Sequence, residues 1–287
     1  MQFTFYYYAP SSAAAGIFVV LFGLSTLLHL YQLARTHSWS MIPFVIGGIL
    51  ETIGYVGRLL SAQQSPDFTQ GPYIIQSALI LIAPAFLAAS IYMTLGRIIR
   101  MVHAEQHAVI RLSWMTKIFV LGDVLSFLMQ ASGAGLMVSN SDNPSTGEHV
   151  IIVGLFVQII FFGFFIITAV IFQMRMRQNP TGTARELSGV WRRHLAALYI
   201  SSGLIFVRSI VRVVEYLEGY DGFLMKQEVF IYVFDALLMF AAMVVLQYFH
   251  PSEINCYLGV GVRYSEMGFK TRKFIPLARE MEVASDV

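Results

Sequence analysis

Residues 39–60 read WSMIPFVIGGILETIGYVGRLL. An apolar run of this length matches the roughly 20 residues that a helix needs to cross a bilayer core. Yet Glu51 stands in its middle and Arg58 lies two turns later, inside ETIGYVGR, residues 51–58. A charged side chain at mid-bilayer costs about 2.5–3.5 kcal/mol on insertion scales, so such groups normally turn inward and pair. The stretch therefore reads as a membrane helix with one polar face and implies partner helices that answer it.

The rest of the chain supplies them. Of 287 residues, 56% are hydrophobic and only 13% charged, about half the charged share of a soluble domain. The mean hydropathy is +0.65. Apolar runs recur at about 11–34, 40–62, 73–100, 114–138, 149–174, 194–217 and 226–249. The fold class predicted is an all-α integral membrane protein, a bundle of seven transmembrane helices over residues 1–250. Residues 251–287 follow as a short polar cytosolic tail, disordered or loosely docked. The N-terminal segment MQFTFYYYAPSSAAAG has no basic region and does not read as a signal peptide. Cys256 stands alone, which excludes an intrachain disulfide, and it reads as an unmodified thiol.

Basic residues set the expected direction. Fifteen of the 19 Lys and Arg fall in the loop after span one, in the regions between spans three and four and between five and six, and in the tail. Arg58 and Lys226 are the basic residues of the opposite side; Arg208 and Arg212 lie within span six. The pattern predicts the N-terminus outside and the C-terminus in the cytosol, as an odd number of spans requires. The slight net positive charge comes from these flanks and points to no nucleic acid.

Three spans carry polar trios spaced i, i+4, i+7, which places each trio on one helix face. They are Glu51, Tyr55 and Arg58 in span two; Arg208, Arg212 and Glu215 in span six; and Glu228, Tyr232 and Asp235 in span seven. Span four adds Asp123 and Gln130, and span five adds Gln158. By the expected direction these groups gather at the middle and outer depth of the membrane, with Asp123 deeper. A polar cavity closed toward the cytosol is predicted. Two readings of it stand: a structural ion-pair network, or a site for an amphiphile with a charged head.

Other features are weaker. Pro84 in span three has no N–H, so it frees a backbone carbonyl and bends the helix. Gly47, Gly48, Gly54 and Gly57 thin span two, and Gly133 and Gly135 thin span four, for close helix packing. Tyr92 and Arg97 read as interface anchors. The aromatic run FFGFF, 161–165, reads as core or lipid-facing. The seven histidines scatter along loops and span ends rather than forming a metal centre. No phosphate loop, nucleophile elbow or paired-cysteine motif is present, so neither enzyme activity nor a cofactor is expected. Rhodopsin-like signatures are missing as well: span three ends in TLGRIIR and span seven has no N-P-x-x-Y.

Several segments in order resemble the fungal RTA-like family, the lipid-translocating exporters. They are ETIGYVGR, LIAPAFLAASIYMTLGRII, GDVLSFLMQASGAG, RSIVRVVEYLEG, the Glu228–Tyr232–Asp235 face and the closing His250-Pro251. The resemblance covers nearly the whole chain. It implies a seven-span protein, usually of the plasma membrane, that exports or flips sphingoid long-chain bases, confers resistance to toxic amphiphiles, or carries porphyrin or haem. It brings no catalytic residues. The positions it carries over are Glu51, Tyr55, Arg58, Pro84, Tyr92, Arg97, Asp123, Gln130, Arg208, Arg212, Glu215, Glu228, Tyr232 and Asp235. A lipid sensor built on the same pocket is the competing class. The expected partners are an amphipathic lipid and the bilayer itself; oligomeric state leaves no trace in one sequence.

Overall fold

The computed structural model describes residues 10–64, 68–139, 145–219, 222–259, 263–265 and 270–272. Residues 1–9 and most of the tail beyond Gly259 lie outside it, and with them the readings made there. The described residues contain seven helices long and apolar enough to cross a membrane. Span one is Ser12–Thr36, span two Ile42–Gln63, span three Gln70–Met101, span four Leu112–Ser139, span five Ser145–Gln178 and span six Ser188–Leu217. Span seven is composite: Glu228–Ile231, then one turn of π-helix at Tyr232–Ala236, then Leu237–Tyr248. Each predicted run is a helix, though spans five and six begin earlier than their apolar runs do.

Local chemistry sets the ends. Ser11 caps span one, its Oγ accepting from the amide of Ala14 at 3.3 Å. The helix stops at His37, whose φ of 51° is left-handed. A short 3-10 turn, Trp39–Met41, leads into span two, and Pro43 sits in the first turn of that span, where its missing N–H costs nothing. At 32 residues span three is about 48 Å long, well over the ~30 Å core, so it extends beyond the bilayer or tilts within it.

The spans pack in sequence order around a ring, span seven returning to span one, and span three also reaches across to span six. Spans two and three meet along a close seam. A Cβ on Gly54 would lie 2.7 Å from Cγ1 of Ile80, and one on Gly57 would lie 3.2 Å from the backbone of span three. Gly133 plays the same part against span five, where its Cβ would meet the Gly147 carbonyl at 2.6 Å. Gly135 does not: open space surrounds it, so it thins no contact. The outward face is apolar, with Leu27 and Ile160 more than 60% exposed, as lipid rather than water requires.

The chain does not leave the bundle at Pro251. Residues Ser252–Tyr257 form a short helix whose Ile254, Asn255 and Cys256 are buried. Asn255 accepts from Arg97 and donates from Nδ2 to Ser38 Oγ at 3.0 Å. Glu253 meets His194 at 3.0 Å and Arg193 at 3.3 Å. The start of the tail is thus firmly docked. Beyond it, Arg263–Ser265 pairs antiparallel with Lys270–Arg272.

Candidate functional site

At the end of the bundle where span one begins, the three polar trios do meet. Arg58 of span two reaches span seven with two bonds: Nη2 to Glu228 Oε1 and Nε to the Tyr232 hydroxyl, each at 2.9 Å. Its guanidinium also lies 5.0 Å from the centre of the Tyr232 ring. Glu228 in turn accepts the backbone amide of Ser11 on both oxygens, at 2.8 and 3.0 Å. The start of span one is thereby tied to the start of span seven. Phe18 stacks on Tyr232 at 5.4 Å and Phe22 on Tyr55 at 5.3 Å. Span one contributes no ionisable group here; it seals the cluster with aromatic faces.

Deeper in, Asp235 receives two arginines of span six. Arg208 donates from Nε to Oδ1, and Arg212 donates from Nη2 to Oδ2 at 2.7 Å. Arg212 also reaches Glu215 Oε2 at 3.1 Å, on its own helix. Asp235 sits inside the π-turn of span seven. Such single turns add a residue to the helix and redirect the side chains that follow. Here the turn lies where the polar face must bend toward span six.

Arg208 makes one more bond. Its Nη2 donates to the carbonyl of Ile80 at 2.9 Å. Pro84, four residues later, has no N–H to offer that carbonyl. The proline therefore supplies an acceptor to the site, which is more than the bend expected of it.

Glu51 differs from its neighbours. It is wholly buried, and among the described residues neither of its oxygens has a hydrogen-bond partner. The same is true of the hydroxyl of Tyr55, one turn on. Asp235, Arg208 and Arg212 lie within electrostatic reach of Glu51, yet the two arginines donate elsewhere.

The expected open cavity is absent among the described residues. Between spans six and seven lies a small indentation lined by Arg212, Glu215, Phe230, Phe234 and Asp235, with room for about one water. The side chains fill the space because each arginine spans two or more acceptors.

Asp123 and Gln130 do not join this cluster. Span four packs on spans three and five, and its polar groups face that seam. Asp123 accepts from Tyr92 at 2.9 Å, among Phe119, Phe162 and Phe165. Gln130 donates to Ser126 at 2.6 Å and lies 3.5 Å from Gln158. Tyr92, expected at the membrane interface, is instead fully buried. Two polar clusters replace the single one predicted, because span three stands between them.

Sequence reasoning missed Ser11, the Ile80 carbonyl, Phe18 and Phe22. Backbone groups and plain aromatics carry no signal of their own; only the proline hinted at Ile80. It also missed a polar group at the opposite end, where His29 contacts the Met243 carbonyl at 3.0 Å and its ring lies 6.5 Å from that of His250.

Comparison with known proteins bears on this arrangement. A family described as RTA1 like protein matches residues 44–256, which hold every member of the cluster except Ser11, Phe18 and Phe22. Protoporphyrin uptake protein 1 of Saccharomyces cerevisiae is 40% identical over 83% of this chain and 88% of its own. Protein RTA1 of the same yeast is 37% identical over 83% of this chain and 82% of its own. The sphingoid long-chain base transporter RSB1, also from that yeast, is 27% identical over 81% and 69%. No solved structure matches the chain.

Proposed function

The chain belongs to the RTA1-like family, and from that premise we propose that this membrane transporter carries a single-tailed amphiphile with a cationic head, a sphingoid long-chain base. We place it in the plasma membrane, with the N-terminus outside, exporting the base and so protecting the cell from toxic amphiphiles. The observation that carries the reading is Glu51. Every arginine of the cluster is engaged by Glu228, Asp235 or Glu215, which leaves the Glu51 carboxyl to take an ammonium by a charge-assisted bond. Tyr55, beside it, serves a head-group hydroxyl. The tail of the lipid stays in the bilayer and enters between spans six and seven, at the indentation beside Arg212 and Glu215.

A second reading has its own support. Arg58, Arg208 and Arg212 offer three guanidiniums for porphyrin carboxylates, and a relative at 40% identity is named for protoporphyrin uptake. Porphyrin would compete with the carboxylates that already hold these arginines, whereas an ammonium at Glu51 breaks no ion pair.

Purified protein in liposomes separates the readings. Labelled sphingosine should change leaflets faster with protein than without, and Glu51→Gln should abolish the gain. Movement of protoporphyrin but not of sphingosine would establish the second reading. Tight binding without leaflet exchange would mark a sensor. In cells, a Glu51→Gln variant that reaches the surface and still protects against added sphingoid base would sink the assignment.

A further inference from the structure

The polar cluster contains four carboxylates, Glu51, Glu215, Glu228 and Asp235, and three guanidiniums, Arg58, Arg208 and Arg212. Each guanidinium donates to a carboxylate other than Glu51. Asp235 of span seven and Arg208 and Arg212 of span six act electrostatically on Glu51, and Tyr55 stands one turn on in its own helix. In the same cluster Arg58 bonds to Glu228 and Tyr232 of span seven. Arg208 also holds the Ile80 carbonyl of span three, and Phe18 and Phe22 of span one pack on Tyr55.

A fully buried carboxylate without a counter-charge neutralises itself by keeping its proton, since leaving it charged costs several kcal/mol. The cluster has a place for one further positive charge. A proton on the Glu51 carboxyl fills it, and so does one ammonium head.

The geometry points to an exchange of the two. Glu51 holds a proton when no cargo is bound and releases it when an ammonium head arrives, so that one cationic lipid moves against one proton. In the binding step the O–H bond of the Glu51 carboxylic acid breaks, the proton goes to solvent, and the carboxylate pairs with the ammonium. In the release step a proton returns and the head leaves. One positive charge replaces another throughout, so the exchange is electroneutral. Protons entering the cell down their gradient would then drive the base outward, with no nucleotide needed. The inference rests on the cationic-head reading above and adds its driving force.

The test uses purified protein in detergent, weakly buffered near pH 7, titrated with N,N,N-trimethylsphingosine. Its quaternary head has no proton to lose, so any proton released comes from the protein. The wild type should release one proton per probe bound, and its affinity should rise up to about tenfold per pH unit. Glu51→Asp should still release the proton. Glu51→Gln, which keeps the shape of the neutral acid, should bind more weakly, release none and show no pH dependence. Binding by the wild type without proton release overturns the exchange and leaves the transport reading standing. Release that persists in Glu51→Gln also overturns it, since the proton then belongs to another group. Failure of the cationic probe to bind, with protoporphyrin binding instead, overturns both readings together.

Discussion

The guanidinium of Arg208 satisfies the Ile80 carbonyl at 2.9 Å, the carbonyl that Pro84 leaves without an amide. Within a bilayer an unsatisfied backbone carbonyl has no water to turn to. Proline in span three and arginine in span six therefore depend on each other across the centre of the bundle. Lysine at 208 replaces the planar fork that spans Asp235 and Ile80 with a single compact ammonium. Arg208→Lys should cost about 2–4 kcal/mol, within the range for breaking a buried pair. Adding Pro84→Ala should return part of that, because residue 84 would then donate to Ile80 itself. Melting temperatures of both single variants and the double variant measure the coupling. Simple additivity would mean that the proline and the arginine act separately.

Asp235 and Glu51 should respond very differently to replacement by the matching amide. Asp235→Asn leaves Arg208 and Arg212 without the carboxylate they share, and about 3–5 kcal/mol of stability should go with it. Glu51→Gln replaces a carboxyl that holds no arginine, and stability should change by less than about 1 kcal/mol. Thermal unfolding in detergent distinguishes them. Equal losses would show that Glu51 is an ion-pair partner like the others.

The glycines give a packing test. Gly54→Ala must push Ile80 aside, and overpacking of this kind costs about 1–3 kcal/mol. The push falls on the residue whose carbonyl holds Arg208, so transport should drop as well. Gly135→Ala meets open space and should be neutral, or stabilising by up to about 1 kcal/mol from helix propensity. Stability and transport assayed on both variants decide whether the seam between spans two and three sets the site.

The seven spans were legible because the bilayer imposes one length and one polarity on each of them. The three trios were legible because spacing i, i+4, i+7 fixes a helix face whatever the tertiary context. Which trio member meets which was not legible. That Arg58 bridges to Glu228 and Tyr232, while both span-six arginines converge on Asp235, follows from the ring order and from the π-turn at Tyr232–Ala236. Neither leaves a mark in a single sequence. The spacing of Asp123 and Gln130 places both on one face of span four, but spacing does not say which side of span three that face meets. The docking of Asn255 onto Arg97 was hidden by a proline that looked like the end of a span.

The seam between spans three, four and five should prove structural. Tyr92 donates to Asp123 at 2.9 Å inside a cage of Phe119, Phe162 and Phe165, and no group of the Arg208–Asp235 cluster contacts either residue through the hydrogen bonds described. Tyr92→Phe removes the donor and leaves a buried carboxyl short of a partner, at a cost of about 1–3 kcal/mol. Asp123→Leu alone strands the tyrosine hydroxyl at a similar cost. The double variant removes both polar groups, so its loss should be smaller than the sum of the two. Transport per folded molecule should stay within about twofold of wild type in all three, since none touches the cluster proposed to receive the head group. Arg58→Gln is the contrast: it cuts the bonds to Glu228 and Tyr232 and should remove transport even in the molecules that fold. A collapse of transport in Tyr92→Phe at normal folding would instead return Asp123 to the cargo path and make span three a wall shared by two binding positions.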